Sequence, residues 1–351
     1  MIIPKNLLIV RTDRIGDVIL SLPLAEIVKK YYPACKITFL IRSYTKSLVE
    51  NNSFIDNVII LHEDKGKPAI KKNIIEISSH SFDSAIIVSP TFITALIIFL
   101  SRIKVRIGTG YRWYAFLFNK KVFVHRKYAQ KHELEFNIDL LKNFGINESI
   151  TTENVRFNLF PFKGSKHRIE KELEINNIFS GKPIVVVHPG SGGSAVDLPI
   201  DKFRNLVELI DSKLDVNIII TGNQAEKNIC EKLVSGNNVK NFAGRFDLSE
   251  LIALIDKADL FISNSTGPIH IAAALNKHVI GFYPKILSCS PQRWGPYTNK
   301  KFIFMPEINC TNCSREQCER LDCMSSVDIN KVFKKVEEIC NSILKKGEFN
   351  V

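Results

Sequence analysis

No part of this 351-residue chain is a continuous apolar run of membrane-spanning length. The nearest approach, residues 85–100, is 16 residues long and is interrupted by Ser89, Pro90, Thr91 and Thr94. A spanning helix needs about 20 apolar residues, so this stretch reads as a buried strand, a loop and a helix. A secretory signal is lacking at the start, where Arg11, Asp13 and Arg14 arrive before an apolar core accumulates. The dinucleotide fingerprint G-x-G-x-x-G is missing throughout, which disfavours a nicotinamide-dependent dehydrogenase. Short-period repeats and low-complexity segments are missing too. A cytoplasmic protein is expected, and its eight cysteines then read as thiols or metal ligands rather than disulfides.

What is present is ordinary globular material: 45% apolar and 24% charged residues, enough to bury two cores and to exclude disorder or a disulfide-stapled miniprotein. The charge is uneven. Of 48 basic and 36 acidic residues, 27 and 17 fall in residues 1–180, a net +10, and 21 and 19 in residues 181–351, a net +2. An anionic partner is therefore expected on the first half: a phosphorylated lipid head group, an anionic membrane surface or a nucleic acid.

Short β-branched runs alternate with helical patterns. Residues 7–10, 36–41, 57–61, 85–88 and 104–107 read as strands, with helices near 17–30 and 94–100. After a charged interval at 163–182 the pattern restarts. Strands are expected at 184–187, 216–221, 260–263 and 279–283, and helices at 201–213, 225–233, 248–257, 267–275 and 328–345. This βαβ alternation predicts two doubly wound parallel-sheet α/β domains facing a cleft, with ligands beyond the carboxyl ends of the strands.

Three strand-to-helix turns carry chemistry. The first is Arg11-Thr12-Asp13-Arg14-Ile15-Gly16-Asp17. Asp17 either complements a helix dipole or acts as a general base. The second is His188-Pro189-Gly190-Ser191-Gly192-Gly193, a loop rich in backbone N–H donors and suited to a pyrophosphate. The third is Asn264-Ser265-Thr266-Gly267-Pro268-Ile269-His270, where hydroxyls and N–H groups gather at a helix N-terminus that welcomes an anion. Each also has a purely structural reading, as a flexible loop, a helix cap or a satisfied core histidine.

Taken together, in this order and spacing, LLIVRTDRIGDVILSLPL, KHELEFNIDLLKNFG, VVVHPGSGG, TGNQAEKNIC, FAGRFDLSELIALIDKADLFISNSTGPIHIAAAL and PQRWGPY resemble glycosyltransferase family 9, the lipopolysaccharide heptosyltransferases. The resemblance covers nearly the whole chain. It implies a GT-B architecture with two Rossmann-like domains: an acceptor-binding domain at 1–165, a nucleotide-sugar donor-binding domain at 166–327, and a C-terminal helix at 328–351 packing back on the first. It implies an inverting, metal-independent transferase without cofactor, moving a heptose from ADP-L-glycero-D-manno-heptose to the Kdo or heptose of the lipopolysaccharide inner core. The enzyme would sit peripherally on the cytoplasmic face of the inner membrane. Asp17 matches the family's catalytic acid. Thr266, Gly267 and His270 match its pyrophosphate segment, and Glu226 matches an acid near the donor nucleoside. His188, Gly190, Ser191, Gly192, Asn264 and Ser265 complete the expected donor set.

The sequence departs from the family at Val196, where relatives often carry a lysine that would neutralise the leaving diphosphate. Arg245 or Arg293 is the expected substitute. The stretch Lys104 to Tyr114, continuing to Lys120, Lys121, Arg126, Lys127 and Lys131, interleaves aromatics with cations. Without a nucleic-acid module beside it, it reads as a surface for sugars and lipid phosphates. Arg14, Arg106, Tyr111 and Arg112 are the expected acceptor contacts, and no nucleic-acid partner is expected. Cys310, Cys313, Cys318 and Cys323 lie within 14 residues. Their spacing is irregular for a zinc ribbon and leaves reduced thiols, a local disulfide or a structural metal open; no catalytic metal is expected. The rival functions are another sugar specificity, a non-catalytic glycolipid or nucleotide-sugar binder, and a nucleic-acid binder.

Overall fold

In a computed structural model, which describes residues 2–178, 181–236, 238–310 and 313–348, the first strand, β1, is Asn6–Val10. Its apolar run is buried on both faces, as a central parallel strand requires. Around it lie β2 (Lys36–Ile41), β3 (Asn57–Ile60), β4 (Ser84–Ile87), β5 (Val105–Thr109) and β6 (Lys120–Val122), in the order β3-β2-β1-β4-β5-β6, every pair parallel. Five α-helices accompany this sheet: α1 (Ile15–Ile19), α2 (Pro23–Tyr31), α3 (Ile70–Ser79), α4 (Phe92–Leu100) and α5 (Glu133–Ile138).

The second sheet repeats the plan. It contains β7 (Ile184–His188), β8 (Asn217–Ile220), β9 (Val239–Asn241), β10 (Leu260–Asn264), β11 (His278–Phe282) and β12 (Lys301–Phe304), in the order β9-β8-β7-β10-β11-β12, again all parallel. Its helices are α6 (Lys163–Ile175), α7 (Ile200–Lys213), α8 (Lys227–Glu231), α9 (Leu248–Lys257), α10 (Gly267–Ala274), α11 (Pro291–Trp294), α12 (Arg315–Arg320) and α13 (Ile329–Glu348). Each sheet has the Rossmann strand order. Its direction reverses between the first and fourth strands, and the crevice at that switch point is where such sheets bind ligands.

Contacts divide the chain into unit 1 (residues 1–126 and 130–160) and unit 2 (residues 127–129 and 161–351). The boundary lies at 160/161, against 165/166 expected from the sequence. The apolar face of α13 packs within unit 2. Val332, Val336 and Ile339 join Phe203, Val207 and Ile210 of α7 in one buried cluster. Burying each such side chain stabilises by about 1.5–3 kcal/mol, which explains why this face is committed locally.

The helix expected over 17–30 is broken in two. Pro23 has no N–H to continue the ladder and starts α2 at its first turn. Three short outer strands, β6, β9 and β12, escape sequence patterning because edge strands of three or four residues carry too little alternation. No described helix is long and apolar enough to cross a membrane. The helix in the 85–100 stretch leaves Phe92, Phe99 and Leu100 of α4 exposed.

Candidate active site

In unit 1 the turn after β1 lies at the switch point beside β4. Arg11 follows the strand directly; its backbone N–H donates to Leu40 O at 3.0 Å, and its side chain is 1% exposed. The guanidinium donates to the Asp17 carboxylate and lies 3.8 Å from the carboxylates of both Asp13 and Glu133. Glu133, at the start of α5, is buried and also pairs with Arg126, which donates to Asn137 at 3.1 Å. Asn137 in turn donates to Leu20 O at 2.9 Å. His132 caps α5 by accepting from the Leu134 N–H at 3.2 Å, with Glu135 closing the capping box.

Three carboxylates therefore share two guanidinium groups. Burial raises the Asp17 carboxyl above its ordinary pKa, against the pull of Arg11. A raised carboxyl is a stronger base, which suits proton abstraction from a hydroxyl. Arg14 stands exposed at the N-cap of α1. Arg106 donates to Leu117 O at 2.9 Å and Ile103 O at 2.5 Å, and stacks 5.1 Å over Phe99, so its guanidinium ties the chain together. Tyr111 stacks on His125 with centroids 3.8 Å apart, and Arg112 is exposed beside it.

In unit 2 three segments distant in sequence meet at the carboxyl ends of β8, β7 and β10. A Cβ on Gly190 would lie 1.9 Å from Glu226 Oε1, so glycine lets that carboxylate pack against the loop. Glu226 is itself held by accepting the Asn223 N–H at 2.8 Å. Gly192 and Gly193 have φ of +57° and +75° and are exposed, with nothing within 4 Å of an added Cβ. They make the loop an open left-handed turn.

Asn264 is fully buried. Its amide donates to Pro189 O at 2.6 Å and its carbonyl accepts the Leu198 N–H at 2.9 Å, clamping both ends of the loop. His188 faces inward, bonded to Thr221 Oγ1 at 3.0 Å and stacked on Phe261; burial pushes its pKa down to about 4, against the pull of Glu226. Ser265 is buried next to Tyr283, and its N–H donates to Phe282 O at 3.1 Å. Thr266 precedes α10 in extended conformation without a side-chain capping bond, Gly267 opens the helix, and His270 is buried one turn in. Of the expected donor set, Asn264 thus holds the loop, Gly190, Ser191 and Gly192 belong to it, Glu226 packs against it, and His188 is bonded to Thr221 beneath it.

Sequence reading passed over Arg11, Glu133, Asp197 and Arg315. The KHELEF segment carried a capping-box signal for α5, but no local pattern tied Glu133 to Arg11. Asp197 lies beside Ser191. Burial, joined by repulsion from Glu226, lifts its carboxyl to about 6, against the Ser191 hydroxyl and Arg315. Its unfolded pKa is about 3.9, so the folded state holds the proton more tightly, and stability is lost as pH rises from about 4 through 6. Asp197→Asn should therefore raise the melting temperature above pH 6 and leave it unchanged below pH 4. An equal effect at both pH values in thermal melts would assign the change to packing.

All eight cysteines are unpaired, the Sγ atoms of Cys310 and Cys313 lie 2.8 Å apart, and no group of three or more His, Cys, Asp or Glu side chains among the described residues is arranged to hold a metal ion.

A family model described as glycosyltransferase family 9 (heptosyltransferase) matches residues 71–323. A putative glycosyltransferase of Haemophilus influenzae is 30% identical over 312 residues, covering 86% of this chain and 89% of that protein. Among solved structures, a glycosyl transferase family 9 protein from Veillonella parvula superposes with a TM-score of 0.80 at 18% identity, covering 96% and 97% of the two chains. The ADP-heptose lipopolysaccharide heptosyltransferase II of Escherichia coli superposes at 0.76 and 18%, covering 98% and 99%.

Proposed function

The chain belongs to glycosyltransferase family 9, and from that premise we propose that this glycosyltransferase moves a heptose from ADP-L-glycero-D-manno-heptose to the inner core of lipopolysaccharide. The observation that carries the reading is the different equipment of the same switch-point turn in the two sheets. Unit 1 has a half-buried carboxylate with raised pKa; unit 2 has an open glycine loop between Glu226 and the start of α10. The first suits a general base for an acceptor hydroxyl, the second the diphosphate of a donor.

In the proposed reaction Asp17 takes the acceptor hydroxyl proton as that oxygen attacks the anomeric carbon from the side opposite the leaving group. The new C–O bond forms as the sugar–phosphate C–O bond breaks, and the electron pair leaves on the diphosphate. Configuration inverts, and no divalent cation is needed. The test incubates the protein with ADP-heptose and a Kdo-terminated lipid A, with EDTA present. A product heavier by one heptosyl residue supports the reading. Transfer only from another nucleotide sugar would move the donor, and no transfer from any would leave a binding protein.

The acceptor is proposed to be met at the cytoplasmic face of the inner membrane. Trp113 is 73% exposed and stacks on Phe92, with Phe99, Leu100 and Phe116 also exposed nearby in sequence. Arg112, Lys120 and Lys121 accompany them. Aromatic side chains and cations together suit an anionic bilayer surface. The chain has two tryptophans, so emission reads this directly. Vesicles with phosphatidylglycerol should blue-shift the emission of Trp294→Phe, and phosphatidylcholine vesicles should not. A shift that survives in Trp113→Phe would place the contact elsewhere.

A further inference from the structure

Resting on the donor-site reading of unit 2, we propose that Arg315, carried by the cysteine-rich segment, is the cation that receives the donor's diphosphate. The glycine loop needs one. The carboxylate of Glu226 packs against Gly190, and Asp197 sits beside Ser191. Two acids at a diphosphate site repel the ligand, and the repulsion grows as negative charge accumulates on the leaving group. Val196, where the sequence comparison anticipated a cation, is apolar and packed inward.

The arginines expected to replace it are engaged elsewhere. Arg245 lies 5.0 Å over the Phe242 ring and 3.9 Å from Glu172, and Arg293 stacks 4.9 Å over Trp294. Arg315 instead reaches the loop: its Nη2 donates to Gly193 O at 2.9 Å, its side chain is 48% exposed, and its charge acts on Asp197. Glu319, one turn on in α12, is a weak competitor at 3.9 Å. A guanidinium with one donor fixed on the loop backbone and others available is suited to phosphate oxygens.

The segment that carries Arg315 is anchored for this purpose. Cys318 and Cys323 are buried with Ile286, and Val196, Cys289, Ile308 and Cys313 pack around them. Ser314 caps α12 by accepting the Gln317 N–H at 3.2 Å. Val196 is thus part of the apolar contact that seats the cysteine-rich segment.

The test titrates the full-length protein calorimetrically with ADP, GDP, UDP and CDP, then compares whichever binds with its nucleoside. Arg315→Ala should weaken the diphosphate about tenfold or more and the nucleoside by less than about twofold. Arg315→Gln keeps a donor for Gly193 without the charge, and should lose as much; Arg315→Lys should recover part. Unchanged diphosphate affinity in the alanine and glutamine variants overturns the proposal and leaves the donor-site reading standing. Equal weakening of nucleoside and diphosphate also overturns it, making Arg315 a structural prop. If the wild-type protein binds none of the four diphosphates, the donor-site reading falls and takes the proposal with it.

Discussion

Asp17→Asn should reduce turnover by about 10²–10⁴-fold, the usual contribution of a positioned general base, while leaving the donor's dissociation constant within about twofold. The amide matches the carboxylate in shape and its oxygen still accepts from Arg11, but it cannot take a proton. Donor affinity is expected to hold because the proposed donor contacts all belong to unit 2. The fold should tolerate the change: burial of the Asp17 charge outweighs what Arg11 returns, which is why its pKa is raised. In the wild-type enzyme the raised pKa places the acid limb of the activity profile above the ordinary carboxylate range, near pH 4. Activity is lost as pH falls through it. Transfer assays with melting curves decide the matter. An asparagine variant that keeps more than a tenth of wild-type turnover would mean that another group takes the proton.

Arg11→Met should destabilise unit 1 by about 3–5 kcal/mol, the range for removing one partner of a buried ion pair. Arg11 is fully buried and faces Asp13, Asp17 and Glu133. Without it these carboxylates lose their central positive charge, Arg126 still pairing with Glu133. The Asp17 carboxyl, already raised by burial, then rises further without the pull of Arg11. The stability of the variant should therefore be lost as pH rises and partly regained as pH falls toward 5. Urea denaturation at pH 5 and pH 7.5 separates charge from packing: an equal loss at both would point to the cavity left by the side chain. Arg11 bonds through Nη2, while Nε and Nη1 are buried without hydrogen-bond partners. Its charge thus matters more than its fork, and Arg11→Lys should recover much of the loss. If Arg11→Met still turns over, the acid limb of its activity should move upward, because Asp17 has lost its counter-charge.

Much of this was legible in the residues. Continuous apolar runs such as 184–187 announced strands buried on both faces, and the restart after residue 182 announced a second sheet. The glycines of the 190–193 loop announced an unusual backbone, and two of them are left-handed. Pattern reading failed where local signals were outvoted. Pro23 broke a helix that periodicity would have run through. The edge strands were too short to alternate, and the outward face of α4 stayed exposed although its residues are as apolar as those inside.

The sequence by itself determined the alternation of strands and helices, the two-sheet plan, the family and the turns where chemistry sits, because these depend on hydrophobic period and turn residues within a few positions of one another. Which side chains meet at those turns was decided by tertiary structure alone. Asn264 clamps a loop 75 residues away, and Arg315 reaches Gly193 across 122 residues. Glu133 turns Arg11 from a strand-end arginine into the centre of a buried charge cluster. Such meetings follow from strand order and from how each segment buries its apolar side. Neither is encoded in the spacing around the residues that meet.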